Sequence, residues 1–193
     1  SLSPRDENLL YRRAQTLTWL RRFDEAESVY RQMLELFPRG AALVPLATLV
    51  LQRRGDLDEV LALLPPDYGP AKPMRAWLLA RQGKFAQSLE TAESIDPRDA
   101  IAGFSKQSLI GRVHWLAGQR DQGEALLRAS ASDISRHIDA HPDDANRAEW
   151  FMQAAQNLAI IGAEAEALAL LARALAVPSV QTSALNSRWA SEQ

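Results

Sequence analysis

Apolar positions near the start of the chain recur every three or four residues. Leu10, Ala14, Leu17 and Trp19-Leu20 fall on one stripe, a helical period rather than the two-residue alternation of a strand. The stripe breaks at Arg21-Arg22-Phe23 and resumes with Ala26, Val29-Tyr30, Met33-Leu34 and Phe37. Asp24 and Glu25 open this second run, where the positive end of a helix dipole favours carboxylates. Pro38 closes it, because proline has no N–H to continue the ladder. Ala14 to Pro38 therefore predicts two amphipathic helices joined by a tight turn.

The same layout returns downstream. Copies are expected at about 4–39, 40–64, 70–96, 98–141 and 142–177, an array over 1–178 with a tail over 179–193. The first helix is expected to start at Ser3 (N-cap) and Pro4, with Asp6 as the acidic arm of a capping box. The second copy has Ala47-Thr48 at a close crossing, Gly55-Asp56-Leu57 at the turn, Val60 and Leu64 on the second helix, and Pro45 inside the first. Pro65 to Pro70 reads as a loop that replaces a last helical turn. The third copy carries Ala76, Phe85, Ser88 and Ala92 in register, and Asp96 to Asp99 is expected to cap the next helix. The fourth starts near Ala100, with Gly111 and Gly123 at the crossing and a long second helix from about Gln119 to Ala140. In the fifth, Ala155 and Ala167 are expected to be buried against each other's helices. Second helices should begin at or near Asp24, Asp56, Lys84, Asp121 and Ala163. The tail is polar apart from Val180, Leu185 and Trp189, and is expected either to cap the last helix or to fray.

These residues resemble the tetratricopeptide repeat. The first copy supplies the small residues Ala14 and Ala26 where the two helices cross, the aromatics Phe23 and Tyr30, and the closing Pro38. It departs in having Leu10 where the family has tryptophan and Arg13 where it has leucine. The physical reason for the pattern is packing: small residues let two backbones approach while large ones fill the sides. The resemblance implies an all-α right-handed superhelix of about five helix pairs, and a protein- or peptide-binding scaffold as function. It further implies that first-helix residues line a groove: Tyr11, Gln15, Trp19, Arg53, Trp77, Arg81, Arg112, Trp115, Met152 and Gln156. Tyr11 and Gln15 replace the lysine and asparagine with which one subtype clamps acidic C-termini, so that ligand does not carry over. The last two copies, with HPDDA and LALLARALAVPSV, resemble the C-terminal repeat region of multidomain bacterial signalling proteins such as winged-helix regulators and adenylate cyclases. That likeness implies the sensing or interaction segment of a larger protein.

Composition narrows the classes. The chain of 193 residues is 47% hydrophobic and 24% charged, enough to build a core. A net charge of -2 argues against nucleic acid as the main partner. There are no cysteines, hence no disulfide and no thiolate metal site. That fits any compartment, with the cytoplasm as default. Gly40 to Gln52 is too short to span a membrane, and Ala154 to Val177 is interrupted by Glu164, Glu166 and Arg173. A start at Ser1 suggests a processed product or a fragment.

Candidate chemistry is thin. His137 and His141 lie one helical turn apart, a spacing zinc can use, but no HExxH glutamate accompanies them and a helix C-terminus suits two histidines. No zinc and no cofactor are expected. His114 reads as a hydrogen-bonded packing residue. No phosphate loop or nucleophile elbow is present, so an enzyme is not expected. Trp19, Trp77 and Trp115 all fall on first helices, where they either face the groove or pack between copies. Three arginines on that face suggest an acidic or C-terminal-carboxylate ligand. Self-association through the same rings, giving a homodimer, is the rival reading.

Overall fold

The computed structural model describes residues 6–96, 105–144 and 146–177. They form ten α-helices and one short 3-10 turn, with no strand among the described residues. The chain divides into two compact units, Ser1–Ser94 and Ile95–Gln193.

The first unit holds α1 (Glu7–Trp19), α2 (Phe23–Leu36), α3 (Leu43–Arg54), α4 (Leu57–Leu63), α5 (Lys72–Arg81) and α6 (Phe85–Glu93). Each helix packs on its neighbour in the chain. Leu10, Ala14 and Leu17 of α1 meet Ala26, Val29, Tyr30 and Met33 of α2, and Leu46, Ala47 and Val50 of α3 extend the same core. Ala14, Ala26 and Ala47 are fully buried, as close crossings require. Pro45 sits in the first turn of α3. The Pro65 to Pro70 segment is a loop ending in a 3-10 turn, Gly69–Ala71, that runs directly into α5.

The second unit holds α7 (Lys106–Leu116), α8 (Arg120–Ala140), α9 (Arg147–Ile160) and α10 (Glu164–Ala176). Ala131, Ile134 and Ile138 of α8 are buried with Phe151, Ala154 and Leu158 of α9 and with Ala167 and Ala174 of α10. Here α7 and α8 cross so closely that a Cβ on Gly123 would lie 2.7 Å from the Trp115 nitrogen. The expected burial of Ala155 and Ala167 is found.

All five second helices begin within one residue of the expected positions. Their entry turns share a left-handed residue two places before the helix: Gly55, Gly83, Gly118 and Gly162, with Arg21 in the first pair. The start of α1 corrects the sequence reading. Asp6 is itself the N-cap, its carboxylate accepting from the Asn8 and Leu9 amides at 2.9 and 3.3 Å; a carboxylate at that place serves two orphan donors at once. Ser3 and Pro4, the Pro97 to Asp99 cap, the start near Ala100 and the tail from Pro178 lie outside the described residues. Before α7 the N-cap is Ser105, which accepts from the Ser108 amide at 3.2 Å.

Candidate functional site

The first-helix residues picked from sequence divide between the units. In the first unit, Tyr11 is half-buried and meets Tyr30 edge-on, ring centroids 6.4 Å apart. Gln15 is half-buried, while Trp19, at the end of α1, is 77% exposed beside the exposed Leu20. Trp77 packs partly on the core, with the Arg81 guanidinium 5.5 Å from its ring centroid. Arg53 is already engaged: Nη2 lies 2.6 Å from Asp24 and Nη1 3.2 Å from Glu27.

Glu27 is the centre of a charge network that the sequence did not reveal. Arg31 donates to it from Nε and Nη2, Arg54 from Nη2 and Arg53 from Nη1. Arg54 also reaches Glu59 at 2.6 Å. Burial pushes the Glu27 carboxyl up, but the hydrogen bonds from Arg31 and Arg54 outweigh this and hold it below the ordinary range. The network ties α2 to α3 and α4.

In the second unit, Arg112 of α7 is largely buried, and burial pushes its guanidinium below its usual pKa. It donates from Nη2 to Asn157 Oδ1 at 3.0 Å and to Gln156 Oε1 at 3.4 Å. Asn157 continues the seam, accepting from Ser108 at 2.6 Å and donating to Ser130 at 3.2 Å. Gln153, one turn before Asn157, is 2% exposed, and neither amide atom has a hydrogen-bond partner among the described residues. Trp115 is half-buried, with Arg120 stacked 4.1 Å from its ring centroid.

Met152 and Gln156 lie on one side of an open cleft of about 440 Å³ between α9 and α10. Ala155, Ala159, Gly162, Glu164, Ala167, Leu168 and Leu171 complete its lining. Neither leucine was picked from sequence. The signal was there, in the run LALLARALA, which is apolar apart from Arg173 and carries more leucines than one stripe needs.

The structure therefore joins Arg112 to Gln156, Met152 to Gln156 and Trp77 to Arg81. Trp19 and Trp77 belong to one unit and Trp115 to the other. Of the three rings, Trp19 is exposed and two are half-buried.

His114 is a packing residue, as expected. Gln122 donates to its Nε2 at 3.2 Å, so Nδ1 carries the hydrogen and donates to Gln119. His137 and His141 stack at 4.4 Å, and His137 reaches Asp144 at 3.3 Å. Trp150 packs at the start of the fifth copy and donates to the same Asp144 oxygen at 3.2 Å. The Asn146 amide, with His137 and Trp150, holds the Asp144 carboxyl below its ordinary pKa. This cluster secures the α8–α9 turn. Among the described residues no group of three or more histidines and carboxylates is placed to hold a metal. No described helix is long and apolar enough to cross a membrane.

No protein-family model matches the chain, and no curated protein matches it. Solved structures do. A putative kinesin light chain of Podospora anserina with nearly identical TPR-like repeats is 15% identical over 90% of this chain and 95% of that one, with a TM-score of 0.52. MamA from Desulfovibrio magneticus RS-1 is 12% identical over 91% and 96%, with a TM-score of 0.48. YrrB, a TPR protein with an unusual peptide-binding site, is 16% identical over 95% and 92%, also with a TM-score of 0.48. At these identities the likeness speaks for the fold alone, and the kinesin light chain match carries it. The chain has an all-α, tetratricopeptide-like helical-repeat fold.

Proposed function

We propose that the chain is a protein- or peptide-binding scaffold that uses its first-helix faces. The observation that carries this is Trp19. Its indole stands 77% exposed at the end of a first helix, beside Leu20 at 61%. A tryptophan that contributes little to the core retains its value as an interface anchor, since it buries a large area with few rotors. In the first unit, Tyr11 and Gln15 on the same helix and Trp77 and Arg81 on α5 belong to the proposed surface; in the second unit, Arg112, Trp115, Met152 and Gln156 are proposed as a surface of that unit's own. Arg53 is proposed as a support, because Asp24 and Glu27 already occupy it.

The proposed ligand is an acidic peptide or a C-terminal carboxylate, for which Arg81 is the best-placed cation, exposed and aligned over an aromatic ring. The likeness of the last two copies to signalling proteins supports a role as the interaction segment of a larger regulatory protein. Reading the chain's genomic neighbourhood tests that context.

A peptide library with free C-termini, selected on the purified protein, tests the binding reading. Trp19→Ala and Trp77→Ala should each weaken the selected peptide ~10-fold or more, the scale of an interface hot spot, with the helical circular dichroism unchanged. Affinity unchanged from the native chain in both variants would remove the aromatic surface. Self-association through the same rings is the second reading. Light scattering on the native chain and on Trp19→Ala separates the two.

A further inference from the structure

One side of α1 is exposed where other first helices are buried. Aligning first helices on their crossing residues, Ala14, Ala47 and Ala155, sets out a seam whose members are four, three and four residues apart, which keeps them on one side of a helix. On α3 the seam is Ala42, Leu46, Leu49 and Arg53. The first three are buried, and Arg53 reaches back to Asp24 and Glu27 of α2. On α9 the same register holds Ala154 and Asn157, both buried, and Asn157 donates to Ser130 of α8. The seam is thus the side that a first helix lays against the second helix before it. On α1 it carries Leu9, Arg13, Thr16 and Leu20, all exposed.

Second helices have a matching side, one, four and eight residues past their own crossing residues. On α2 it is Glu27, Tyr30 and Leu34. Glu27 and Tyr30 are buried, Leu34 packs partly on the core, and Arg53 and Arg54 of α3 converge on Glu27. On α8 it is Glu124, Leu127 and Ala131, of which the last two are buried, Ala131 together with residues of α9. On α10 it is Leu168, Leu171 and Leu175, all exposed, Leu168 at 57% and Leu175 at 70%. Among the described residues no helix covers this side of α10 or the seam of α1.

We propose that copies of the chain join head to tail, with α1 of one copy seated on α10 of the next. The contact repeats the packing of α3 on α2. There the end of the first helix meets the start of the second, Arg53 against Glu27. In the same antiparallel register Leu20 takes the place of Arg53 and Leu168 the place of Glu27, so an apolar pair stands where the chain itself has an ion pair. Leu9 then points towards Leu175. The charges beside this seam are of opposite sign. Arg12, Arg13 and Arg21 are exposed on and next to the seam of α1, and Glu164 opens α10, as Asp24 in the first turn of α2 faces Arg53. Because the contact joins two different surfaces, it does not close at two copies but extends as concentration rises. It goes beyond the peptide-binding reading, since Tyr11 and Gln15 lie on another side of α1.

Leu20→Glu and Leu175→Glu each put a charge into one half of the contact, at positions already 61% and 70% exposed. Circular dichroism checks that each variant is folded, and Leu9→Glu with Leu168→Glu forms a second pair if either is not. Light scattering on the native chain should give a mass that climbs past that of a dimer between ~10 μM and ~1 mM. Each variant alone should stay a monomer. A one-to-one mixture of the two should form a dimer and stop there, because one intact α10 then meets one intact α1. A native chain that is monomeric at ~1 mM overturns the proposal and leaves both sides to other proteins. A native dimer that never grows, or variants that still associate alone, overturns it in favour of a symmetric contact elsewhere. A mixture that stays monomeric overturns the pairing of α1 with α10.

Discussion

Arg21 occupies a backbone conformation that glycine fills in the other four entry turns. Its φ is +57°, against +68° to +82° at Gly55, Gly83, Gly118 and Gly162. A side chain there costs roughly 1–2 kcal/mol through the contact of Cβ with the following carbonyl. Glycine would relieve that strain but would also loosen the unfolded chain by about 0.4–1 kcal/mol. Arg21→Gly is therefore expected to stabilise the protein by about 0.5–1 kcal/mol, raising the thermal midpoint by a few degrees. Gly162→Ala, the reverse change at an equivalent turn, should lower it. The sequence showed four of these turns through their glycines. It could not show that Arg21-Arg22-Phe23 takes the same shape, because an arginine carries no signal for a left-handed backbone.

Between elements, the closest contact is the α7–α8 crossing. A Cβ on Gly123 would lie 2.7 and 2.9 Å from the Trp115 nitrogen and Cα. Alanine is the better helix former by about 1 kcal/mol, yet a backbone cannot rotate aside as a side chain can. Overpacking of about 1–3 kcal/mol wins. Gly123→Ala should therefore destabilise the second unit in urea unfolding. Gly111→Ala should be milder, because its nearest neighbour is the Leu127 side chain at 3.0 Å, which can shift. Both positions were legible as small residues in register. Their difference was not, since it depends on which atoms of the facing helix lie opposite.

The Glu27 network is also a property of elements, and of pH. The folded pKa of Glu27 lies below the unfolded value. Its contribution is therefore fully present above the ordinary glutamate pKa of about 4.3, and is lost as pH falls through the folded value. Glu27→Ala should cost about 2 kcal/mol at neutral pH, allowing for the partial exposure of the arginines. Relative to wild type, that deficit should shrink in denaturant titrations carried from pH 7 towards pH 3. The sequence placed Glu27 on a helix that opens with acidic residues and gave no hint of its burial. Three arginines from two helices converge on it only once α2 and α3 have packed.

At the scale of the whole molecule, contacts run mainly between helices adjacent in the chain. Such local topology avoids most of the loop-closure entropy that slows sheet proteins. Refolding from urea, followed by tryptophan fluorescence, should have its main phase in milliseconds or faster. Seconds-long refolding of the main phase would contradict the repeat reading. That reading was the most legible part of the chain, because period, caps and small crossing residues all point the same way. The binding surface was less legible. Side-chain exposure at first-helix positions depends on how far each helix is rotated, and Trp77 and Trp115 are turned part-way into the protein.

Asn157 has a consequence for how such a chain can be recombined. It stands two residues after the crossing residue Ala155. At the corresponding place after Ala47, Ala76 and Gly111 stand Leu49, Leu78 and Val113, all buried. Those apolar helices present equivalent faces at this register, whereas α9 fits only a neighbour that offers Ser108 and Ser130. Transplanting α3 into the place of α9 would strand the buried Ser108 hydroxyl, while Ser130 would keep Ser105 as its partner, and moving α9 to the place of α3 would strand an amide, each at about 1–3 kcal/mol per group. The helix pairs look alike in outline but are keyed. A library that shuffles them as identical bricks should lose most of its members at this one joint.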